Sequence, residues 1–592
     1  MGRQRKLPAL KGCLSLWPSR AAALFSAHTT AAALMALVIA QWCGLHHPWW
    51  AAMTVWLVAQ PTRGLFIARI GARLAGTAVG AMVGGMLLAL FFDHHVWLMM
   101  ALAAWITLCA GAGNLFRHFR NYAFVLAGYT AAIVALFGIL DPVFDVGLAL
   151  GRLYCTVIGV LASALLSWPF TARSEFPDRL RARLETLVVA AVGYSLRRLR
   201  SAGAHDGTDL NIVLREMAEF DVLLDQVAAG SGSSRQFAAC ARHTLDAIGD
   251  LLIWSSHSAV GGSLRICMDV TAAMQGPAAV PTLRAVICEV CRHPQNLATG
   301  QIFVDKLNYI CTSLDRPEPL RVSLATRLKQ HNWRNVGVAA IRPLTAMTIA
   351  TLVWWSCDWS YGPVMVMTAV LFASLFSSHK QPDAAMKDVL AGTCVGIVLG
   401  LGYRFWLLEL ATSPWQLACF TAPFLLVGAL LMARPATAKM AIDLNMTFLL
   451  IAQPSLQTDT TLTHSLWQAL AILGGVLTAV LTYRRLVPNA PHSDRLRLAQ
   501  RIAVLTLRLP NTQSAAARTG LYEQIKVLLA QLNRIDKQST ALLSAAFECA
   551  AIAQHMCDHM FEASRCTATD DHLVQIVAAK LITHLQPHPY HH

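Results

Sequence analysis

Two arginines interrupt apolar runs, where a charge is hardest to keep: Arg152 in DVGLALGRLYC and Arg342 in VAAIRPLTAM. A guanidinium stays protonated and presents parallel N–H donors that match a carboxylate. An arginine inside such a run is therefore a candidate anion-binding group. A structural ion pair or a reach to the outer interface is the alternative for Arg152, and snorkelling to the cytoplasmic surface is the alternative for Arg342. Pro343 frees a backbone carbonyl beside Arg342 and kinks its helix. Two other groups could carry a proton: His28 in FSAHTT, which titrates near neutral pH, and Asp443 in KMAIDLNMTFLL. A hydrogen-bonded packing histidine and an interfacial carboxylate are the plainer readings of these two. Asn445 and Tyr129 offer hydrogen bonds to a polar ligand. Arg63, Arg69 and Arg73 cluster ahead of an apolar run, either as a basic mouth that concentrates anions or as a response to lipid head groups and topology.

These residues need long apolar elements to hold them, and the composition supplies them. The 592 residues are 55% hydrophobic and 14% charged, and the mean hydropathy is +0.48. A soluble protein of this size does not carry that balance, so a polytopic membrane protein is expected. The net charge of +15 forms no contiguous basic patch interleaved with aromatics, which argues against nucleic acid.

Six candidate spans fall at Ala22–Cys43, Trp49–Gln60, Ala72–Phe92, Val96–Ala112, Tyr122–Leu140 and Gly147–Trp168. Six more fall at Val336–Cys357, Pro363–Phe376, Val389–Leu408, Trp415–Met432, Ala441–Gln453 and Leu466–Leu486. Arg63, Arg69, Arg117, Arg120, Lys380, Arg434 and Arg484 fall in alternate loops, so the positive-inside rule places both termini in the cytoplasm. MGRQRKLPALKG lacks a cleavable signal's apolar region, and the first span is expected to be retained. The expected fold is all-α, with two tandem, parallel six-helix transmembrane units at 1–170 and 336–487. Helical cytoplasmic regions are expected at 171–335 and 488–592, where DRLRARLETLVVAAVGYSLRRLR and LYEQIKVLLAQLNRI carry helical periodicity.

The tandem reading rests on a repeat. LAGTAVGAMVG returns as LAGTCVGIVLG, so that Gly76, Gly80 and Gly84 meet Gly392, Gly396 and Gly400 at an offset of 316. The same offset pairs Arg152 with Gln468 and Tyr129 with Asn445, while an offset of 314 pairs His28 with Arg342. Glycines four apart make a flat face for close helix packing. Even-numbered copies insert in the same orientation and are related by an axis along the membrane normal. The interface between them is the expected pathway. Any anion site is asymmetric, because Gln468 replaces Arg152 and nothing replaces Arg69 or Arg73.

PWWAAMTVWLVAQPTRG, ARIGARLAGTAVGAMVG and GRLYCTVIGV, with a weaker second copy at YGPVMVMTAVLFASLF, resemble the fusaric acid resistance and aromatic acid exporter family of bacterial inner-membrane proteins. The resemblance covers both membrane units. It implies export of aromatic carboxylic acids or related organic anions, and in many members a separate periplasmic membrane-fusion adaptor protein. Arg152, Arg342, Gln468, Tyr129 and Asn445 are then the expected substrate contacts, His28 and Asp443 the proton-coupling groups, and Arg63, Arg69 and Arg73 the cytoplasmic entrance. The short spans carry Trp49, Trp50, Trp56, Met365 and Met367; Trp49 and Trp50 read first as an interfacial belt.

No GxxxxGK[ST], GxSxG or HExxH occurs, so an ATPase motor in cis and those enzyme classes are not expected. No cofactor or metal is expected: CEVCRH and HMCDH read as helix faces, and the fifteen cysteines form no disulfide framework. The partners expected are the lipid bilayer, a small organic anion and the adaptor, with homo-oligomerisation open. A passive anion channel and a membrane scaffold or stress sensor working through its cytoplasmic helices remain alternatives to an exporter.

Overall fold

The computed structural model describes residues 20–59, 63–115, 119–140, 147–168, 170, 176–200, 207–228, 232–258, 297–315, 333–377, 382–434, 436–456, 461–488, 491–512, 514–535, 540–558, 574–579 and 581. Among them there is no strand. The chain divides into two compact units, each built from two stretches of sequence: 1–173 with 332–489, and 174–331 with 490–592.

The first unit holds α1 (Arg20–Trp42), α2 (Trp49–Val58), α3 (Arg63–Phe91), α4 (His95–Leu115), α5 (Phe119–Leu140) and α6 (Gly147–Ser167). After the insertion come α7 (Phe176–Arg200), α8 (Gly207–Ala228), α9 (Gly232–Ser258) and α10 (Leu297–Asp315), which belong to the second unit. The first unit resumes with α11 (Trp333–Cys357), α12 (Gly362–Leu375), α13 (Pro382–Trp406), α14 (Pro414–Met432), α15 (Ala438–Ala452) and α16 (Leu462–Leu481), which runs into a π turn at Thr482–Leu486. Among the described residues, α1, α3, α4, α5, α6, α11, α13, α14 and α16 are long and apolar enough to cross a membrane, and the chain is a multi-pass membrane protein.

The remaining helices of this unit are shorter. Ten residues at 1.5 Å each make α2 about 15 Å long, half a hydrocarbon layer. It survives at that length because nearly all its side chains are buried in protein, as are those of α12.

Glycines set the closest helix approaches, and they do so twice. A Cβ on Gly76, Gly80 or Gly84 would stand 2.5, 2.7 and 2.7 Å from the carbonyl oxygens of Ala123, Ala127 and Ala131, so α3 lies directly on α5. Gly392, Gly396 and Gly400 approach the carbonyl oxygens of Met440, Leu444 and Phe448 in the same way, at 2.5, 2.8 and 3.2 Å, and seat α13 on α15. Gly159 seats α6 on α2 at Ala51 and Thr54; Gly475 seats α16 on α12 at Met365 and Thr368.

Contacts between the halves come in exchanged pairs. α1 packs on α14 and α11 on α4, while α2 packs on α15 and α12 on α5. Such reciprocity is the pattern of a two-fold relation. One hydrophobic core runs through both halves, from Trp56 and Leu136 to Val366 and Phe448.

The second unit joins α7 to α10 with α17 (Pro491–Arg508), α18 (Ala515–Ile535) and α19 (Thr540–Asp558). α9 is its hub, packed by α7, α8, α10 and α19 around Phe220, Ile248, Trp254, Phe303 and Phe547. Lys526 of α18 bridges to Asp250 of α9 at 3.0 Å, and Asn533 donates to the Leu214 carbonyl at 2.9 Å. CEVCRH lies outside the described residues, and among those described no three ligating side chains could hold a metal ion.

Candidate anion site

The ladder that presses α3 on α5 also lines up their polar residues. Arg69 and Arg73, four apart, share one face of α3, and Tyr122 and Tyr129, seven apart, share one face of α5. Arg73 is fully buried and donates from one terminal nitrogen, Nη1, to Tyr129 Oη at 2.8 Å and to Tyr122 Oη at 3.4 Å. Its Nε and the other terminal nitrogen have no partner among the described residues. Those two nitrogens form the side-on edge of a guanidinium, the edge that grips both oxygens of a carboxylate. Arg69 stands half-buried, its guanidinium carbon 5.2 Å from the Tyr122 ring centre.

α6 brings a second cation to the same place. Arg152 is 3% exposed and lies 4.9 Å over the ring of Trp50 on α2, within electrostatic range of Arg73, Tyr129 and Tyr122. Its Nε has no partner among the described residues. Among the described residues neither Arg73 nor Arg152 meets a carboxylate. Burying an ion costs several kcal/mol, and a cation–π contact offsets roughly 0.5–2 of that. The site is a concentration of uncompensated positive charge with aromatic walls, and it lies inside the first six helices.

Arg73, expected at a mouth, is ten residues into α3, about 15 Å from its start, because that helix begins at Arg63 well ahead of the apolar run. The side chain of Arg63 is outside the described residues. Trp49 and Trp50, read first as an interfacial belt, are each 2% exposed, a correction that follows from α2 being enclosed by other helices.

The other expected residues sit elsewhere. Arg342 donates from Nε to the Val487 carbonyl at 3.2 Å and from Nη1 to the Ser377 carbonyl at 3.4 Å, with its guanidinium 4.7 Å over Tyr483. It staples helix ends in the second half. His28, at the matching place in the first half, bonds Ser167 Oγ at 3.2 Å and stacks on Phe170. Asp443 is buried and accepts from Thr393 Oγ1 at 2.8 Å. Asn445 is buried against Gly428 with both ends of its amide unpartnered, and Gln468 is buried with Oε1 unpartnered.

The glycine contacts correct the register between the fifth helices. Ala123, Ala127 and Ala131 correspond to Met440, Leu444 and Phe448, an offset of 317 rather than 316. Tyr129 therefore corresponds to Met446, and Asp443 to Leu126. The side chains agree: Thr393 bonds Asp443, whereas Thr77, its counterpart, has no partner.

Sequence reasoning missed Tyr122, whose seven-residue spacing from Tyr129 was the available signal, and Thr393. It also missed Arg404, buried with Nη1 donating to the Ile451 carbonyl at 2.9 Å and to Gln453 Oε1 at 3.2 Å.

The sequence profile of the fusaric acid resistance protein family matches residues 22–588. The chain belongs to that family. The family is one of membrane transporters. An uncharacterized transporter of Gluconobacter oxydans is 24% identical over 544 residues, covering 82% of this chain and 72% of the relative. The uncharacterized transporter YdhK of Escherichia coli O157:H7 is 22% identical over 479 residues, 72% of this chain and 67% of its own. The p-hydroxybenzoic acid efflux pump subunit AaeB of Edwardsiella ictaluri is 24% identical over 454 residues, 69% of this chain and 67% of its own. No solved structure matches.

Proposed function

We propose that this chain is an inner-membrane efflux transporter for aromatic carboxylates or related organic anions. The observation that carries the reading is the open side-on edge of Arg73, a fully buried guanidinium with no acidic partner among the described residues. A carboxylate gripped there regains the compensation that burial removed. Tyr122, Tyr129 and Trp50 supply flat faces for an aromatic ring. Arg69, half-buried on the same face of α3, draws anions toward Arg73. The Edwardsiella relative, an efflux pump subunit for p-hydroxybenzoic acid, supports the direction of transport and the ligand class.

Coupling to proton entry is part of the proposal. Asp443, buried and bonded by a neutral hydroxyl, and His28, half-buried on Ser167, are two groups able to change charge inside the first unit's helices. Also part of the proposal are cytoplasmic termini, from the alternation of basic loops, and a periplasmic adaptor as partner. A passive anion channel is the second reading, favoured by the lack of any carboxylate against Arg73 and Arg152 among the described residues. Uptake of labelled benzoate by proteoliposomes decides between them. Accumulation above equilibrium under an imposed pH gradient supports the exporter, and gradient-independent leak supports the channel.

A further inference from the structure

The charge count of the site goes further than the proposal of an anion transporter, on which the following rests. Arg73 and Arg152 bring two permanent positive charges to one buried place. On Arg73, one terminal nitrogen is taken by the two tyrosines and the side-on edge is open. Arg152 is stacked on Trp50 with its Nε unclaimed. Among the described residues no carboxylate pairs with either cation, and the repeat-matching positions of the second half, Val389 and Gln468, are uncharged, so the pair of cations is not repeated there. A monocarboxylate seated on Arg73 therefore leaves a whole positive charge buried at Arg152. Tyr129 accepts from Arg73 through its oxygen, so its own proton is free to donate to a ligand on the Arg152 side.

We infer that the preferred ligand carries two negative charges on one aromatic frame: an aromatic dicarboxylate, one carboxylate on the Arg73 edge and the other on Arg152. The aromatic walls select the flat frame, and the two guanidiniums select the charge. Arg152 then acts as the specificity-determining residue, with Arg73 as the common anchor.

Calorimetric titration of the full chain in detergent at pH 7.5, where all these acids are ionised, tests this with benzoate and the three benzenedicarboxylates. At least one isomer is expected to bind about tenfold or more tighter than benzoate, the worth of one more charged hydrogen bond. In R152Q, which places the second half's amide at this position, the ratio of dicarboxylate to benzoate affinity should fall toward one. R152K, which keeps the charge, should hold most of the ratio. A wild-type chain that binds benzoate as tightly as every dicarboxylate overturns the inference, and so does a ratio that survives in R152Q. Should R152Q not fold, the wild-type ratio and R152K decide. A chain that binds neither class overturns the anion site itself and this inference with it, whereas binding of benzoate without a dicarboxylate preference overturns the inference alone.

Discussion

Adding a single methyl group at Gly80 should disturb the anion site without touching it. A Cβ there would lie 2.7 Å from both the Ala127 carbonyl oxygen and the Thr130 Cβ, against 3.4 Å or more for ordinary contact. Relief requires α3 and α5 to part by about 0.7 Å, and overpacking of this kind costs about 1–3 kcal/mol. Arg73 and Tyr129 sit on those two helices, so the same movement stretches their 2.8 Å hydrogen bond to about 3.5 Å, where little of it remains. G80A is therefore expected to lower the thermal transition in detergent and to weaken benzoate binding measured by calorimetry. The control is G71A on the same helix, where a Cβ meets nothing within 4 Å. A G80A chain indistinguishable from G71A in both measurements would refute the reasoning from helix spacing to site geometry.

Three further outcomes are expected. D443N keeps the shape and an acceptor for Thr393 but cannot titrate, so pH-driven accumulation in proteoliposomes should disappear while benzoate binding persists; undiminished accumulation removes Asp443 from the coupling scheme. R342M loses the bonds to the Val487 and Ser377 carbonyls, each worth about 1.5–3 kcal/mol, and should lower the thermal transition without changing benzoate affinity; loss of affinity at unchanged stability would return Arg342 to the anion path. In the second unit, burial alone would lower the Lys526 ammonium, but Asp250 and Glu523 outweigh it and hold its pKa above the ordinary 10.5. A raised folded value means the bridge's contribution is fully present below 10.5 and lost as pH rises through the folded pKa. K526M should therefore cost about 1–3 kcal/mol across the neutral range, and as pH rises the gap to wild type should close only in strong alkali; a gap that closes between pH 6 and 9 contradicts the assignment.

The membrane helices were legible because lipid leaves few solutions for a long apolar run, and the doubled glycine ladder was legible because close packing admits no side chain at those places. Arg152 was found by the cost of a buried charge. The depth of Arg73 was not, because the polar start of α3 reads as a loop until the helix is seen to begin at Arg63. Trp49 and Trp50 carry the composition of an interfacial belt, and only the helices around α2 put them in the core. Arg342 shows the limit of the cost argument: its charge is met by backbone carbonyls at helix ends, which no residue pattern announces. The one-residue change of register between α5 and α15 was hidden because the ladder fixes α3 and α13 while the connection to the next helices absorbs the difference.

The most direct test is benzoate titrated into the purified full-length chain, into R73K and into R73Q. Wild type should bind, R73K should bind about tenfold or more weakly because an ammonium cannot grip both carboxylate oxygens, and R73Q should not bind measurably. Wild-type affinity retained in R73Q would contradict the account.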